Sequence, residues 1–150
     1  ALEGRPVPVY GDGRQIRDWL YVTDHVPALV AILEGGKLGK VYCIGGGAEK
    51  RNLHVAQAIC DVVDELAPKL EHRRRNLITH VEDRPGHDRR YAMDAARLQR
   101  ELGVRPRENF RTGLRKTVRW YLENRTWWGQ VRDGSYRGER LGFASADGTR

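Results

Sequence analysis

Leu53, Val55, Ala56, Ile59, Val62, Val63 and Leu66 recur at helical spacing between Asn52 and Pro68, shortly after an extended run that ends in Gly45-Gly46-Gly47. A period near 3.6 over that length predicts a helix with one buried face, opened by Asn52 as N-cap and closed before Pro68. The preceding Lys40-Val41-Tyr42-Cys43-Ile44 reads as a buried strand, because β-branched and aromatic residues running into glycine suit a covered sheet position. Strand, glycine turn and helix in that order direct the chain toward α/β architecture.

The flanking segments follow the same grammar. Val7-Pro8-Val9-Tyr10 is a short extended run closed by Gly11-Asp12-Gly13, and Arg17-Asp18-Trp19-Leu20-Tyr21-Val22 reads as a second short strand. A helix should follow, capped by Thr23 or Asp24, with Pro27 in its first turn, Ala28, Leu29, Ile32 and Leu33 on one face, and Gly35-Gly36 at its end. Leu77-Ile78-Thr79-His80-Val81 is a further strand. Asp94 can cap a short helix that Gly103 terminates, and Asn109 or Thr112 can open another carrying Leu114, Val118, Tyr121 and Leu122. The expected division is a structured portion over residues 1–128 and a loosely ordered glycine- and charge-rich tail over residues 129–150.

Directly after the strand ending at Val81 comes Asp83-Arg84-Pro85-Gly86-His87-Asp88-Arg89-Arg90-Tyr91, with three arginines and a histidine around a Pro-Gly turn. Pro85 presets its own φ, Gly86 accepts φ > 0, and arginine forks reach phosphate oxygens bidentately, so this is the chemistry of an anion site. Strand carboxyl ends are where α/β proteins hold ligands. The competing reading is a solvated charged loop, and for Arg89 and Arg90 ligand contact and structural ion pairing both stay open.

Charge agrees with an anionic ligand: 27 Lys and Arg against 20 Asp and Glu give a formal net charge of +7. The chain's 150 residues suit one domain. No apolar run approaches the roughly 18 residues of a membrane span, and the N-terminus has no signal-peptide pattern, so the expectation is a cytoplasmic protein. Cys43 and Cys60 match no metal spacing and are expected as buried free thiols, with no metal site. The four tryptophans read as packing.

Gly11-Asp12-Gly13-Arg14-Gln15-Ile16-Arg17-Asp18-Trp19-Leu20-Tyr21-Val22-Thr23-Asp24-His25, Tyr42-Cys43-Ile44-Gly45-Gly46, Glu49-Lys50-Arg51-Asn52, the arginine-rich stretch from Asp83 to Tyr91, and Arg115-Lys116-Thr117-Val118-Arg119-Trp120-Tyr121-Leu122 occur in an order and spacing that resembles the dTDP-glucose 4,6-dehydratases. These belong to the extended short-chain dehydrogenase/reductases, which join an NAD-binding Rossmann domain to a smaller sugar-nucleotide domain. The likeness runs over roughly residues 1–136 and is to the carboxyl-terminal part. It implies an α/β chain made of the sugar-nucleotide-binding domain plus the last strand and helix of a Rossmann sheet, with residues 40–44 as that strand. It also implies an NAD-dependent lyase of deoxysugar biosynthesis, a dTDP-sugar partner and a homodimer, with no role for nucleic acid or membrane. By the same resemblance Pro8, Val9 and Tyr10 contact the nucleotide end of the substrate, Arg17 and Asn52 contact it further in, and Asp83, Arg84, Pro85, Gly86 and His87 form the diphosphate-side loop.

The resemblance stops short of the chemistry. No glycine loop here has the spacing that lets backbone approach a dinucleotide pyrophosphate. The residues four after the six tyrosines are Arg14, His25, Gly46, Ala95, Arg125 and Arg140, so the family's Tyr-x-x-x-Lys is missing, and its Asp-Glu acid/base pair is likewise not expected. No catalytic or cofactor-binding residue is assigned within the chain. What it offers is anchoring of remote substrate groups, which holds a reacting sugar in register.

Three other readings stand beside this one. The chain can be the corresponding part of a UDP-sugar epimerase or decarboxylase, or a fragment that binds nucleotide sugar without catalysis or folds poorly. The cluster His72-Arg73-Arg74-Arg75 suggests RNA binding, but lacks interleaved aromatic residues. Alone, residues 40–44 would leave an apolar strand edge open, so the isolated chain is expected to be weakly stable and prone to associate.

Overall fold

The computed structural model describes residues 1–68 and 70–132. Four strands form two small sheets. Strand β1 (Val7–Tyr10) pairs in parallel with β4 (Ile78–Val81), in the register Val7 to Ile78 through Tyr10 to Val81. Strand β2 (Ile16–Asp18) pairs antiparallel with β3 (Glu49–Arg51). Helix α1 (Val22–Gly35) leads away from β2, and α2 (Asn52–Leu66) follows β3 without a gap. After a 3₁₀ turn over Arg74–Leu77 and strand β4 come α3 (Ala96–Leu102), α4 (Phe110–Glu123) and α5 (Arg125–Arg132).

The core gathers on the inner face of α2. Val55, Cys60 and Val63 are buried with Val9 of β1 and Val118 of α4; of the periodic apolar set, Val55 and Val63 are buried, Leu53, Ala56, Ile59, Val62 and Leu66 are half-buried, and Cys60 joins them from outside that set. Helix α4 opens on a capping box in which the Asn109 side chain accepts from the Thr112 amide at 3.0 Å, while Thr112 Oγ1 accepts from the Asn109 amide at 3.1 Å; both residues named as alternative openers are used together. Gly103 ends α3 in the left-handed region, φ 67°.

Several local expectations shift. The second strand stops at Asp18, and Tyr21, not Thr23 or Asp24, is the N-cap of α1: its carbonyl accepts from Asp24 and His25, and no side chain caps the helix. Pro27 therefore lies in the second turn, where its missing N–H leaves the carbonyl of Thr23 without its helical partner. Asn52 is the first helical residue of α2, because Arg51 still belongs to β3 and occupies the cap. Asp94 sits one residue ahead of the Ala95 cap, yet its carboxylate accepts from the Ala96 amide at 2.9 Å.

The largest correction is at residues 40–44, which form no strand. A strand needs a ladder, and no partner lies beside this segment among the described residues. Helix α3 holds it through side chains instead: Arg97 donates to the Val41 carbonyl at 3.0 Å, and the Tyr42 hydroxyl donates to Glu101 at 2.8 Å. Val41 is 75% exposed, and Cys43 is exposed where a buried thiol was expected. Cys60 is buried, which raises its thiol pKa above the usual value. Helix α5 runs through Gly129 to Arg132, four residues into the segment expected to be loose; residues 133–150, the rest of that tail, lie outside the described residues.

Candidate nucleotide-anchoring site

Parallel pairing puts the carboxyl ends of β1 and β4 side by side, so the loops that leave them meet. The Gly11 amide donates to the Val81 carbonyl at 2.9 Å, and His80 Nδ1 lies 2.8 Å from the Gly11 carbonyl oxygen. Gly11 and Gly13 both take positive φ, 56° and 67°, which turns the chain back toward β2. From there Gln15 and Gly13 accept the first amides of α2: Asn52 donates to the Gln15 carbonyl and Leu53 to the Gly13 carbonyl, each at 2.9 Å. The positive end of α2 is thereby fixed beside the turn.

The arginine-rich loop closes over this arrangement. The Ile16 amide donates to the Arg89 carbonyl at 2.8 Å and the Tyr91 amide to the Ile16 carbonyl at 2.9 Å, so the loop returns as a short line beside β2. Asp83 is its hub. Oδ2 accepts from Gln15 Nε2 at 2.9 Å, and Oδ1 accepts from the Arg84 amide at 2.9 Å and from His87 Nδ1 at 2.7 Å. The His87 hydrogen bond above all, with that of the Arg84 amide, holds the Asp83 carboxyl below its ordinary pKa.

Hydrogen bonds thus link Arg17, Asn52 and the Asp83 to His87 turn, while Pro8, Val9 and Tyr10 line up along β1 beside it. Arg17 donates to the carbonyls of Ile16 at 2.7 Å and Asp88 at 3.0 Å, and its guanidinium lies 4.5 Å from the centre of the Tyr91 ring. It pairs with neither Asp12 nor Asp18, its acidic neighbours in sequence. Asp12 is met by Arg14 and Arg89, and the Asp18 carboxylate accepts from the amides of Gly46 and Ala48 at 2.9 and 2.7 Å. Arg17 therefore forms no ion pair with a carboxylate among the described residues. The Arg84 side chain makes no hydrogen bond or ion pair among the described residues, and neither does the Asn52 amide group.

Other residues of the turn are spoken for. The His87 imidazole is only 4% exposed and packs into the loop with Nδ1 on Asp83. Val9 is 5% exposed and belongs to the core, whereas Pro8 is exposed. Arg90 grips Glu49 through Nε and Nη2 at 2.7 and 2.8 Å, and Arg89 reaches Asp12 at 3.3 Å, so both form ion pairs in this structure. In the basic cluster, Arg74 is buried against Asp64 at 2.8 Å and Arg75 pairs with Asp61. Gln15 was not anticipated; its position one residue before an alternating strand was the only available signal.

Neither glycine loop fits a dinucleotide. The amide of Gly46 points at Asp18, and a Cβ at that position would stand 2.0 Å from the Trp19 carbonyl oxygen. The Gly11 and Gly13 amides are taken by Val81 and Tyr10. Asp64 and Glu65, the sequence's one Asp-Glu pair, are held by Arg74 and Arg115 near the carboxyl end of α2, whose amino end adjoins the site. A separate cleft of about 610 Å³ between residues 19–23 and α4, walled by Trp19, Phe110, Trp120 and Trp127, contains none of the ten anticipated residues.

A basic turn at the carboxyl ends of a parallel strand pair, beside a helix N-terminus, lies here in an α/β portion of the short-chain dehydrogenase/reductase type, the fold of the solved structures that the chain resembles. The chain belongs to the family described as GDP-mannose 4,6 dehydratase, whose sequence model matches residues 1–117. It is 57% identical over 145 residues to a dTDP-glucose 4,6-dehydratase of Neisseria meningitidis, covering 95% of this chain and 41% of that protein. Against the Salmonella typhimurium enzyme of the same name it is 56% identical, covering 91% of this chain and 38% of that one. Among solved structures it resembles the dTDP-glucose 4,6-dehydratase of Bacillus anthracis in complex with NAD, with TM-score 0.76, 42% identity, and coverage of 87% and 39%. The Streptomyces venezuelae enzyme with NAD and TYD bound gives TM-score 0.75 and 40% identity over 87% and 38%. The chain thus spans about two fifths of the length of these relatives.

Proposed function

We propose that this chain is the substrate-anchoring part of a dTDP-glucose 4,6-dehydratase, holding the nucleoside diphosphate of a dTDP-sugar while a Rossmann portion supplies NAD and the reacting groups. The observation that carries the reading is the pair of uncompensated guanidinium groups: Arg17 on β2, and Arg84 on a turn fixed by Asp83. Guanidinium forks match phosphate oxygens, and the start of α2 adds its positive end and the Asn52 amide. Tyr10, at the carboxyl end of β1, would meet the nucleoside side.

The chemistry that NAD, held by the Rossmann portion, would supply is reversible hydride transfer with the sugar. This chain's residues bind and orient the remote diphosphate, so that binding energy is realised as correct placement of the sugar. The names borne by relatives above 50% identity support the dehydratase over an epimerase. Residence in the cytoplasm and assembly as a homodimer belong to the same proposal.

Calorimetric titration of the folded chain with dTDP, with UDP as competitor, tests it. Saturable binding that prefers dTDP and weakens in Arg84→Ala is expected. A folded chain that takes up neither nucleotide would sink the reading.

A further inference from the structure

Gln15 is 3% exposed and uses only half of its amide. Its Nε2 donates to Asp83 Oδ2 at 2.9 Å, while its Oε1 is buried without a hydrogen-bond partner among the described residues. Turning the amide over would set Oε1 against an ionised carboxylate, acceptor on acceptor, so Asp83 dictates the orientation and leaves the carbonyl oxygen stranded. A purely structural requirement at this point would be met by an apolar side chain of similar volume, with no stranded acceptor. What only the amide provides is a donor aimed at Asp83.

Asp83 is gripped from both sides by side chains removed from water, Gln15 on Oδ2 and His87 on Oδ1. Its Oδ1 also holds the amide of Arg84, whose guanidinium makes no hydrogen bond or ion pair among the described residues. The conformation of the turn at Arg84 is therefore set by Asp83, and the place of Asp83 is set by Gln15 and His87.

We propose that Gln15 is a positioning residue for the diphosphate: by locking Asp83 it fixes the turn that presents Arg84 to the phosphate oxygens. This rests on the nucleotide-anchoring reading above. Gln15 touches no ligand in this scheme and acts through Arg84, which makes its effect separable from that of a direct contact.

The test is a double-mutant cycle on the full 150-residue chain, with dTDP as titrant and circular dichroism to confirm folding. Gln15→Leu should weaken binding roughly fivefold or more, the worth of one hydrogen bond to a charged group. In an Arg84→Ala background the same substitution should change binding less than twofold, because the group it positions is gone. The thermal midpoint of Gln15→Leu should not fall, since the stranded acceptor goes with the donor. Gln15→Met serves if the leucine variant does not fold. Binding by Gln15→Leu equal to the parent, or losses that multiply in the double variant, overturns the inference.

A ligand-free readout separates this outcome from failure of the nucleotide reading. Nitrogen-resolved imidazole spectra should show a protonated His87 Nδ1 in the parent, with mixed tautomers once Gln15 no longer steadies Asp83. If the parent binds no dTDP, the nucleotide reading falls, and the spectra alone decide whether Gln15 orders the turn; an unchanged His87 signal in Gln15→Leu then refutes it.

Discussion

Gly11 and Asp83 meet so closely that a Cβ at position 11 would stand 2.6 Å from Asp83 Oδ2. Gly11 also has φ 56°, a conformation that side chains strain. The two loops leaving β1 and β4 thus share one space, and the carboxylate that orders the arginine turn occupies what a side chain would need. Gly11→Ala should displace Asp83 and weaken dTDP binding at least fivefold, while stability falls by about 1–3 kcal/mol. Paired titration and urea unfolding measure both. Unchanged affinity in the variant would show that the carboxylate does not order the anion site.

Arg74 is buried, and its guanidinium donates to Asp64 Oδ1, to the Pro68 carbonyl and to the Ala1 carbonyl at 2.8, 2.7 and 3.2 Å. It ties the chain start to the end of α2 with its donors satisfied. Asp64→Asn keeps the shape but removes the charge, leaving a buried guanidinium uncompensated. The expected loss is about 3 kcal/mol, seen as a lower urea midpoint with unchanged slope. A midpoint equal to the parent's would mean that the carbonyls alone satisfy Arg74.

Helix α2, both parallel strands and the arginine turn were legible because each carries a local signal: apolar period, β-branched run, Pro-Gly punctuation. The strand over residues 40–44 misled for the opposite reason. Its composition specifies a covered sheet position, but a ladder is a property of two segments, and the second is not beside it. Strand β3 was missed because Glu49-Lys50-Arg51 has no apolar alternation; it pairs because Asp18 fixes the neighbouring glycine loop and Arg90 grips Glu49. The same limit hid Gln15, whose role depends on a contact 68 positions away in the chain. For the arginines, residue type pointed to anion chemistry, but only the fold paired Arg89 and Arg90 with carboxylates and left Arg17 and Arg84 without an ion pair among the described residues.

Acid should loosen the anion turn. Asp83 ionises more readily when folded, chiefly through the His87 hydrogen bond and also through the Arg84 amide. A group whose folded pKa is depressed adds stability above its unfolded pKa, near 3.8 for this carboxyl, and loses it as pH falls through the folded value. Exchange protection of the Arg84 amide should therefore be level at neutral pH and decline below about pH 4. In Asp83→Asn that decline should vanish, with lower protection throughout. Protection that is independent of pH in the parent would remove Asp83 from control of the turn.

Helix α1 carries Val22, Val26, Leu29, Val30 and Leu33 on one stripe, all exposed, with Leu33 at 86%; its buried positions are Asp24 and Ala28. The apolar face of this amphipathic helix thus points away from its own core, and the open segment with Val41 and Leu38 adds further exposed apolar surface. Surface of that kind is covered in stable assemblies, and in a lone chain it drives association. We expect the chain to self-associate with rising concentration in sedimentation velocity. Leu33→Glu combined with Val41→Lys should shift it toward monomer without lowering dTDP affinity, since neither position lies in the anchoring site. A parent that stays monomeric and unfolds cooperatively at every concentration would show that this face needs no cover.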